Sequence, residues 1–176
     1  GIKKVPTEGP VFVSFQGLSG DVVVNKKHHG GPDQAVYGYR EEDYIWWSEH
    51  LKKSIKEPLF GENLTLTGLS SFALPIGAQL VFKEVVLEVT APRIPCQTLS
   101  SVMGDNQFGK DFAKEARSGF YFRVKKEGYL VRGDAFSVAL KGAHTVTTVD
   151  LFEANYQKLS EDRLEEFLSA PIDIRT

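Results

Sequence analysis

Short apolar runs alternate along the chain with glycines and prolines, a pattern typical of a strand-rich fold. In residues 85–90 the alternation places Val85, Leu87 and Val89 on one face of a strand, opposite Val86, Glu88 and Thr90. The sequence KEG at residues 126–128 favours a hairpin between its two neighbouring strands. The predicted strands are PVFVSF, NLTLTGL, AQLVF, VVLEVT, FYFRV, YLVR and AFSVAL.

Helical periodicity is confined to a few segments. In EEDYIWWSEHLKKSIKEP a spacing of three to four residues predicts a helix that ends at Pro58, with apolar positions at Tyr44, Trp47, Leu51 and Ile55. A shorter helix is predicted in KDFAKEARSG, with Gly119 after its last turn.

The last part of the chain is more acidic and helical in pattern. Thr147 and Asp150 have the spacing of a capping box, and Ser160 is suited to begin a second helix. We therefore predict a mixed, β-rich domain with a few peripheral helices over residues 1–145, followed by a short helical C-terminal extension over residues 146–176.

Composition narrows the class of protein. The 176 residues, with 41% apolar and 25% charged side chains, suit one globular domain, and a net charge of −2 argues against a nucleic-acid binder. The chain lacks an apolar run of about 18 residues. We therefore expect a cytoplasmic protein without a membrane partner. Its single cysteine excludes an internal disulfide and an iron–sulfur cluster held by four cysteines of this chain.

Common catalytic motifs are absent from the sequence. It contains no GxxxxGK[ST], no complete GxGxxG after a strand, no HExxH and no CxxC. The segment GLSGD lacks the GxSxG spacing of a nucleophile elbow, which makes serine-triad hydrolysis a poor candidate.

The first unusual loop is KKHHGGPDQAVYGY. Lys27 and His29 precede Gly30 and Gly31, whose backbone freedom can expose N–H groups to an anion such as phosphate. On local sequence alone, a tight turn before a helix, with solvated charges, explains the same residues.

The second loop is FGENLTLTGL. The Asn63 amide can donate and accept hydrogen bonds to a heterocycle, and Glu62 can orient a ring N–H or a basic side chain. A structural turn between Phe60 and the following strand remains the alternative, because glycine and asparagine tolerate left-handed backbone.

The third loop, APRIPC, contains the only thiol of the chain. Pro92 and Pro95 restrict the backbone, so Arg93 and Cys96 are held with little freedom after a strand. Arg93 near Cys96 would favour the thiolate, which binds soft metals or attacks electrophiles. A buried apolar cysteine beside a surface arginine is the open alternative.

Together these loops resemble the MOSC domain, named for the C-terminal part of molybdenum-cofactor sulfurases. The resemblance extends over residues 11–142, in the order GLSGD, HHGGPDQAVYGY, FGENLTLTGL, IGAQL, VTAPRIPC and GFYFRVKKEGYLVRGD. It implies a β-barrel-like fold in which Cys96 is a molybdenum ligand or a sulfur carrier. Stand-alone bacterial relatives resemble enzymes that use molybdopterin to reduce N-hydroxylated compounds, such as hydroxylaminopurines and amidoximes, to amines.

The resemblance also implies roles for the loop residues. Cys96 and Arg93 would be catalytic, with Cys96 on the metal. The cofactor-binding residues would be Lys27, His29, Gly30, Gly31, Asp33, Glu62, Asn63 and Arg93.

The implied partners are a small-molecule substrate and an external electron-transfer protein or reductase, and a homodimer stays open. The chain has no pyridoxal-phosphate lysine motif, so it would not sulfurate the cofactor itself. The alternative function is a carrier of the molybdenum cofactor, or of sulfur as a persulfide on Cys96.

Overall fold

A computed structural model describes residues 2–21 and 30–174 of the protein. The strands are β1 (Val11–Ser14), β2 (Gly17–Leu18), β3 (Val36–Arg40), β4 (Leu64–Leu66), β5 (Gln79–Val81), β6 (Val86–Ala91), β7 (Phe120–Lys126), β8 (Gly128–Leu130) and β9 (Ser137–Ala139). The helices are α1 (Glu41–His50), α2 (Gln97–Met103), α3 (Phe108–Glu115), α4 (Thr148–Ala154) and α5 (Glu161–Ser169), with a 3₁₀ turn at Pro32–Gln34.

Over the described residues these strands form two sheets. The larger has the order β4-β3-β7-β6-β5-β9 and the smaller the order β2-β1-β8. The pair β3 and β4 is parallel and the other pairs are antiparallel. Register shifts interrupt the β6–β7 pairing, and such irregularities bend a sheet. The larger sheet is curled into half a barrel, which confirms the predicted mixed, β-rich, barrel-like fold.

Strand β6 shows why the alternation predicts the core only in part. Val85, Leu87 and Val89 are fully buried on the predicted inner face. Glu88 and Thr90, on the opposite face, are buried as well. The cause is tertiary: the Thr90 hydroxyl donates to the Asp33 carbonyl of the 3₁₀ turn at 2.6 Å, and Arg123 of β7 pairs with Glu88 at 3.3 Å.

The hairpin predicted at KEG is wrong. The strands on its two sides, β7 and β8, belong to different sheets, and β8 pairs with β1 through Val11–Leu130 and Val13–Gly128. Glu127, between β7 and β8, accepts a hydrogen bond from the Phe15 backbone N–H at 2.8 Å. The chain therefore passes from one sheet to the other at a position where the local sequence resembles a turn.

The first helix is shorter than its periodicity predicts. It ends at His50 rather than at Pro58, and Lys52 has a left-handed φ of 50°. The Ser48 hydroxyl accepts the Ile55 N–H at 3.1 Å, so the segment after the helix folds back and still buries Ile55. Strand β3 was not predicted, since residues 36–40 directly follow the glycine loop.

The apolar core consists of two groups of side chains. The first lies on the sheets and includes Leu80, Leu87 and Phe122. We call the second group the aromatic cluster; it lies between α1, α3 and the 55–60 segment and is built from Tyr39, Tyr44, Trp47, Phe60, Phe108, Phe112 and Phe152. These rings contact one another with centroid separations such as 4.5 Å for Tyr39 and Phe60. The cluster fixes the position of the 55–60 segment relative to β3.

The C-terminal segment contributes to both groups. Phe152 of α4 belongs to the aromatic cluster, and Phe167 of α5 packs against the sheets. The capping box at Thr147 and the N-cap at Ser160 form as predicted. No helix in the described part of the chain is both long and apolar enough to cross a bilayer.

Candidate functional site

The predicted site centres on the turn that joins β6 to α2. Residues 92–96 lie outside helices and strands, and Cys96 has an extended backbone with φ −126° and ψ 166°. The Cys96 side chain is half-buried, whereas Ile94 between the prolines is exposed. The turn therefore places the thiol at the edge of the core, where it is neither fully exposed nor fully buried.

Arg93 is buried and held on several sides. Its side chain is only 6% exposed, its Nη1 donates to the Phe60 carbonyl, and its guanidinium carbon lies 5.1 Å from the centroid of the Tyr37 ring. Burial acts to lower the pKa of Arg93, but the Tyr37 and Tyr121 side chains and the Cys96 thiol reverse this and raise it. A permanently charged guanidinium thus lies beside Cys96, and a surface arginine is excluded.

The Cys96 thiol ionises more readily than an ordinary thiol. Partial burial acts to raise its pKa, but hydrogen bonds from the Leu99 and Thr98 backbone and the charge of Arg93 outweigh burial and lower the pKa. The prediction that Arg93 favours the thiolate agrees with this geometry. A half-buried thiolate beside a cation can ligate a soft metal or carry sulfur.

Glu62 is almost fully buried two residues after Phe60, whose carbonyl accepts from Arg93. Its side chain is 2% exposed, and Oε1 accepts hydrogen bonds from the Tyr44 hydroxyl at 2.6 Å and the Thr65 hydroxyl at 3.3 Å. Burial raises the pKa of Glu62, although these hydrogen bonds oppose the rise. Its second oxygen, Oε2, has no hydrogen-bond partner among the described residues.

Asn63 connects the FGEN loop to β3. Its Oδ1 accepts the Tyr37 N–H at 2.9 Å, its backbone N–H donates to the Tyr37 carbonyl at 2.7 Å, and its Nδ2 donates to Asp21 at 2.7 Å. Asp21 also pairs with Lys4 at 2.5 Å. The Asn63 amide oxygen is therefore already hydrogen-bonded to the backbone of β3. This bond holds the FGEN loop next to Tyr37, whose ring lies against the Arg93 guanidinium.

The glycine loop is only partly described. Gly30 and Gly31 have φ values of 81° and 87°, a backbone region that suits glycine, as the sequence predicts. The Gly31 carbonyl accepts the Gln34 N–H at 3.1 Å and so begins the 3₁₀ turn. Lys27 and His29, both predicted to bind the cofactor, lie outside the described residues.

Asp33 makes a different set of contacts. Among the described residues its carboxylate accepts from Arg123 Nε at 2.9 Å and from the Ile174 N–H at 3.2 Å, rather than from Arg93 or Cys96. Its carbonyl also accepts from Thr90. Asp33 therefore ties the end of the glycine loop to β6, β7 and the C-terminal segment.

Three residues of the site were not predicted from the sequence. Tyr37 stacks under Arg93, the Phe60 carbonyl accepts from Arg93, and the Tyr44 hydroxyl contacts Glu62. Helix spacing accounted for the Tyr44 ring but gave no role to its hydroxyl. Tyrosines at alternate positions 37 and 39 would have suggested a strand next to the glycine loop.

The described ranges contain no group of three or more His, Cys, Asp or Glu side chains placed to hold a metal ion. Within those ranges the soft donor at this site is the Cys96 thiol. The fold and the site thus define a β-rich domain that presents one thiol beside a buried arginine.

The chain belongs to the MOSC domain family, whose model matches residues 25–137. It is 33% identical over 156 residues to the uncharacterized protein YflK of Bacillus subtilis, covering 89% of this chain and 71% of that protein. It is 28% identical to protein YiiM of Escherichia coli, covering 96% of this chain and 77% of that protein. A Gibberella moniliformis protein named reductase is 34% identical, with 78% of this chain and 25% of that protein covered.

Solved structures agree on the fold. The crystal structure of YiiM from Escherichia coli superposes with a TM-score of 0.83 at 22% identity, covering 98% of this chain and 83% of that one. YiiM from Geobacillus stearothermophilus gives a TM-score of 0.76 at 26% identity, covering 97% and 89%. The half-barrel sheet and its connections are therefore those of stand-alone MOSC proteins.

Proposed function

We propose that this protein is a molybdenum-cofactor-dependent reductase of N-hydroxylated compounds, of the hydroxylaminopurine or amidoxime type. One observation carries the proposal: the thiol of Cys96, whose pKa is lowered, lies beside the buried charge of Arg93 on a turn stiffened by two prolines. Membership of the MOSC family and similarity to a protein named reductase support a redox role.

The residues present fit a molybdopterin-type group. Such a group has soft sulfur on the metal side and a polar, anionic organic part, so it needs a soft ligand and hydrogen-bonding groups together. Cys96 offers the first. Arg93 Nε and Glu62 Oε2, both buried and without a hydrogen-bond partner in the described ranges, offer a donor and an acceptor for the second.

When bound, the cofactor would supply two-electron redox chemistry. The overall reaction takes the N-hydroxyl compound, two electrons and two protons to the amine and water, which breaks the N–O bond. The electrons would come from an external electron-transfer protein or reductase, because this chain has one cysteine and no iron–sulfur motif.

The protein's own residues would bind and orient these groups. Arg93 would hold anionic oxygens of cofactor or substrate in a charge-assisted contact, together with Lys27, His29, Gly30 and Gly31 of the glycine loop. Asn63 and Asp33 would keep the two loops in place through the contacts described above, and Glu62 would meet a polar edge of the cofactor.

An activity assay tests the proposal. Protein from a cofactor-competent host should reduce an N-hydroxylated base or an amidoxime under anaerobic conditions with reduced methyl viologen as donor. Cys96→Ser and Arg93→Gln should lose this activity while remaining folded by circular dichroism. If wild-type protein that contains molybdenum reduces no compound of this class, the reductase proposal is rejected.

A second candidate is a carrier of the cofactor or of sulfur. The lowered pKa of the half-buried Cys96 thiol favours it, because a thiolate accepts and transfers sulfur more readily. Mass spectrometry that finds one added sulfur on Cys96, in protein without reductase turnover, would support the carrier. An unmodified cysteine in protein with turnover would exclude it.

A further inference from the structure

We infer that Tyr44 and Glu62 act as a positioning pair, which holds the Phe60 carbonyl against the Arg93 guanidinium and so sets where Arg93 lies beside Cys96. The inference rests on the proposed function only in assigning Arg93 and Cys96 to a cofactor site. Its physical content is a chain of contacts within the folded protein.

The Tyr44 hydroxyl uses its full hydrogen-bonding capacity. It donates to Glu62 Oε1 at 2.6 Å, and it accepts the backbone N–H groups of Leu59 at 2.7 Å and Phe60 at 3.2 Å. A phenolic hydroxyl has one proton to donate and can accept at its oxygen, so these contacts leave little freedom of orientation. The side chain is 3% exposed, which reduces competition from water.

The backbone that Tyr44 holds is the backbone that Arg93 contacts. The Phe60 backbone N–H donates to the Tyr44 hydroxyl, and the Phe60 carbonyl accepts from Arg93 Nη1. Leu59 and Phe60 lie outside helices and strands, so Tyr44 supplies bonds that a sheet ladder would otherwise provide. A shift of this peptide would move the acceptor away from Arg93.

Glu62 accepts the hydrogen bond that the Tyr44 hydroxyl donates. Its Oε1 orients the Tyr44 proton, and it also accepts from the hydroxyl of Thr65, the middle residue of β4. The charge of the carboxylate is unnecessary for this task, because a glutamine carbonyl accepts the same two hydrogen bonds. Glu62→Gln is therefore the conservative variant that should preserve the arrangement, and Glu62→Leu the variant that should not.

If Tyr44 only packed in the core, its ring would suffice and its hydroxyl would be unnecessary. The ring packs on Phe60 at 4.9 Å and on Tyr39 at 5.3 Å between centroids, and a phenylalanine would keep both contacts. Tyr44→Phe removes only the hydroxyl and so separates positioning from packing. Tyr129→Phe is the matched control, since it removes the same atom from an exposed tyrosine.

The test uses cofactor-free protein labelled with ¹⁵N-arginine. A guanidinium held by a buried carbonyl rotates slowly and gives separate resonances for its two Nη groups. The Arg93 signals are assigned by their loss in Arg93→Lys. We expect them to be resolved in wild type, Tyr129→Phe and Glu62→Gln, and to merge or broaden away in Tyr44→Phe and Glu62→Leu, with circular dichroism confirming the fold.

Resolved Arg93 signals in folded Tyr44→Phe would overturn the inference. If Tyr44→Phe does not fold, Glu62→Leu against Glu62→Gln decides it, and equal spectra for those two would overturn it. Loss of a hydrogen bond of ordinary strength should also leave Tyr44→Phe with about fivefold weaker retention of molybdenum than Tyr129→Phe. Wild type without molybdenum would refute the proposed function, and the arginine spectra would still judge the positioning pair.

Discussion

Gly119 lies where β7 begins, and replacing it by alanine should destabilise the protein by about 2–5 kcal/mol. Its φ is 67°, and a side chain in left-handed backbone costs about 1–2 kcal/mol. A Cβ there would also lie 2.6 Å from the Gly38 carbonyl oxygen and 2.9 Å from the Tyr37 hydroxyl. Gly38 pairs with Phe120 in the sheet, so the backbone has little room to yield, and overpacking adds about 1–3 kcal/mol.

Gly104 provides a matched control. Its φ is 66°, and among the described residues no heavy atom outside its own neighbourhood lies within 4 Å of the Cβ position. Gly104→Ala should therefore show only the conformational cost of about 1–2 kcal/mol. The difference between the two variants isolates the steric conflict at Gly119.

The assay is urea unfolding at neutral pH for wild type and both variants, with the slope m compared to ensure that the unfolded states are alike. A greater loss in Gly119→Ala by about 1–3 kcal/mol is expected. Equal losses in the two variants would refute the claim that β3 and β7 are rigidly packed at the Tyr37 end. The Tyr37 ring lies against the Arg93 guanidinium, so a shift of Tyr37 should disturb the proposed cofactor site. Gly119→Ala should therefore also retain less molybdenum than Gly104→Ala.

Two further variants test the carboxylates of Glu62 and Asp33. Burial raises the pKa of Glu62 in the folded protein, so its contribution to stability is present below the ordinary value of 4.5 and is lost as pH rises through the folded pKa. The gain in unfolding free energy of Glu62→Gln over wild type should therefore grow from about pH 4 to about pH 7, and a constant difference would contradict the burial argument. Asp33→Asn weakens the contacts to Arg123 and Ile174, and it should cost about 1 kcal/mol in urea unfolding while molybdenum per folded chain stays near wild type. A large loss of molybdenum from stable Asp33→Asn would instead make Asp33 a direct cofactor ligand.

Local patterns predicted those parts of the fold that depend on local chemistry. The alternation in β6 and the capping box at Thr147 both arise from residues within a few positions of each other. The pairing of β8 with β1 depends on segments more than a hundred residues apart, so the KEG sequence could not reveal it. Strand β3 is buried along its whole length, so polar and apolar positions do not alternate along it, and the tyrosines at positions 37 and 39 were its local signal.

In the site, too, the sequence predicted what depends on nearby residues and missed what depends on distant ones. The proline turn predicted that Arg93 and Cys96 are held close together, because both lie within five residues of one strand end. The burial of Arg93 depends on Tyr37 and Phe60, which come from other parts of the chain. The Tyr44 hydroxyl was missed for a related reason, since its partners Leu59 and Phe60 lie in an irregular segment beyond the end of α1.

The central claim is that Cys96 ligates molybdenum, and elemental analysis tests it most directly. Wild type, Cys96→Ser, Cys96→Ala and the control Ser137→Ala, a change at an exposed residue of β9, would be purified in parallel from a cofactor-competent host. We predict molybdenum in a reproducible ratio to protein in wild type and Ser137→Ala, and loss of most of it in both Cys96 variants. Equal molybdenum in all four proteins would contradict ligation by Cys96, and none in wild type would contradict the cofactor assignment itself.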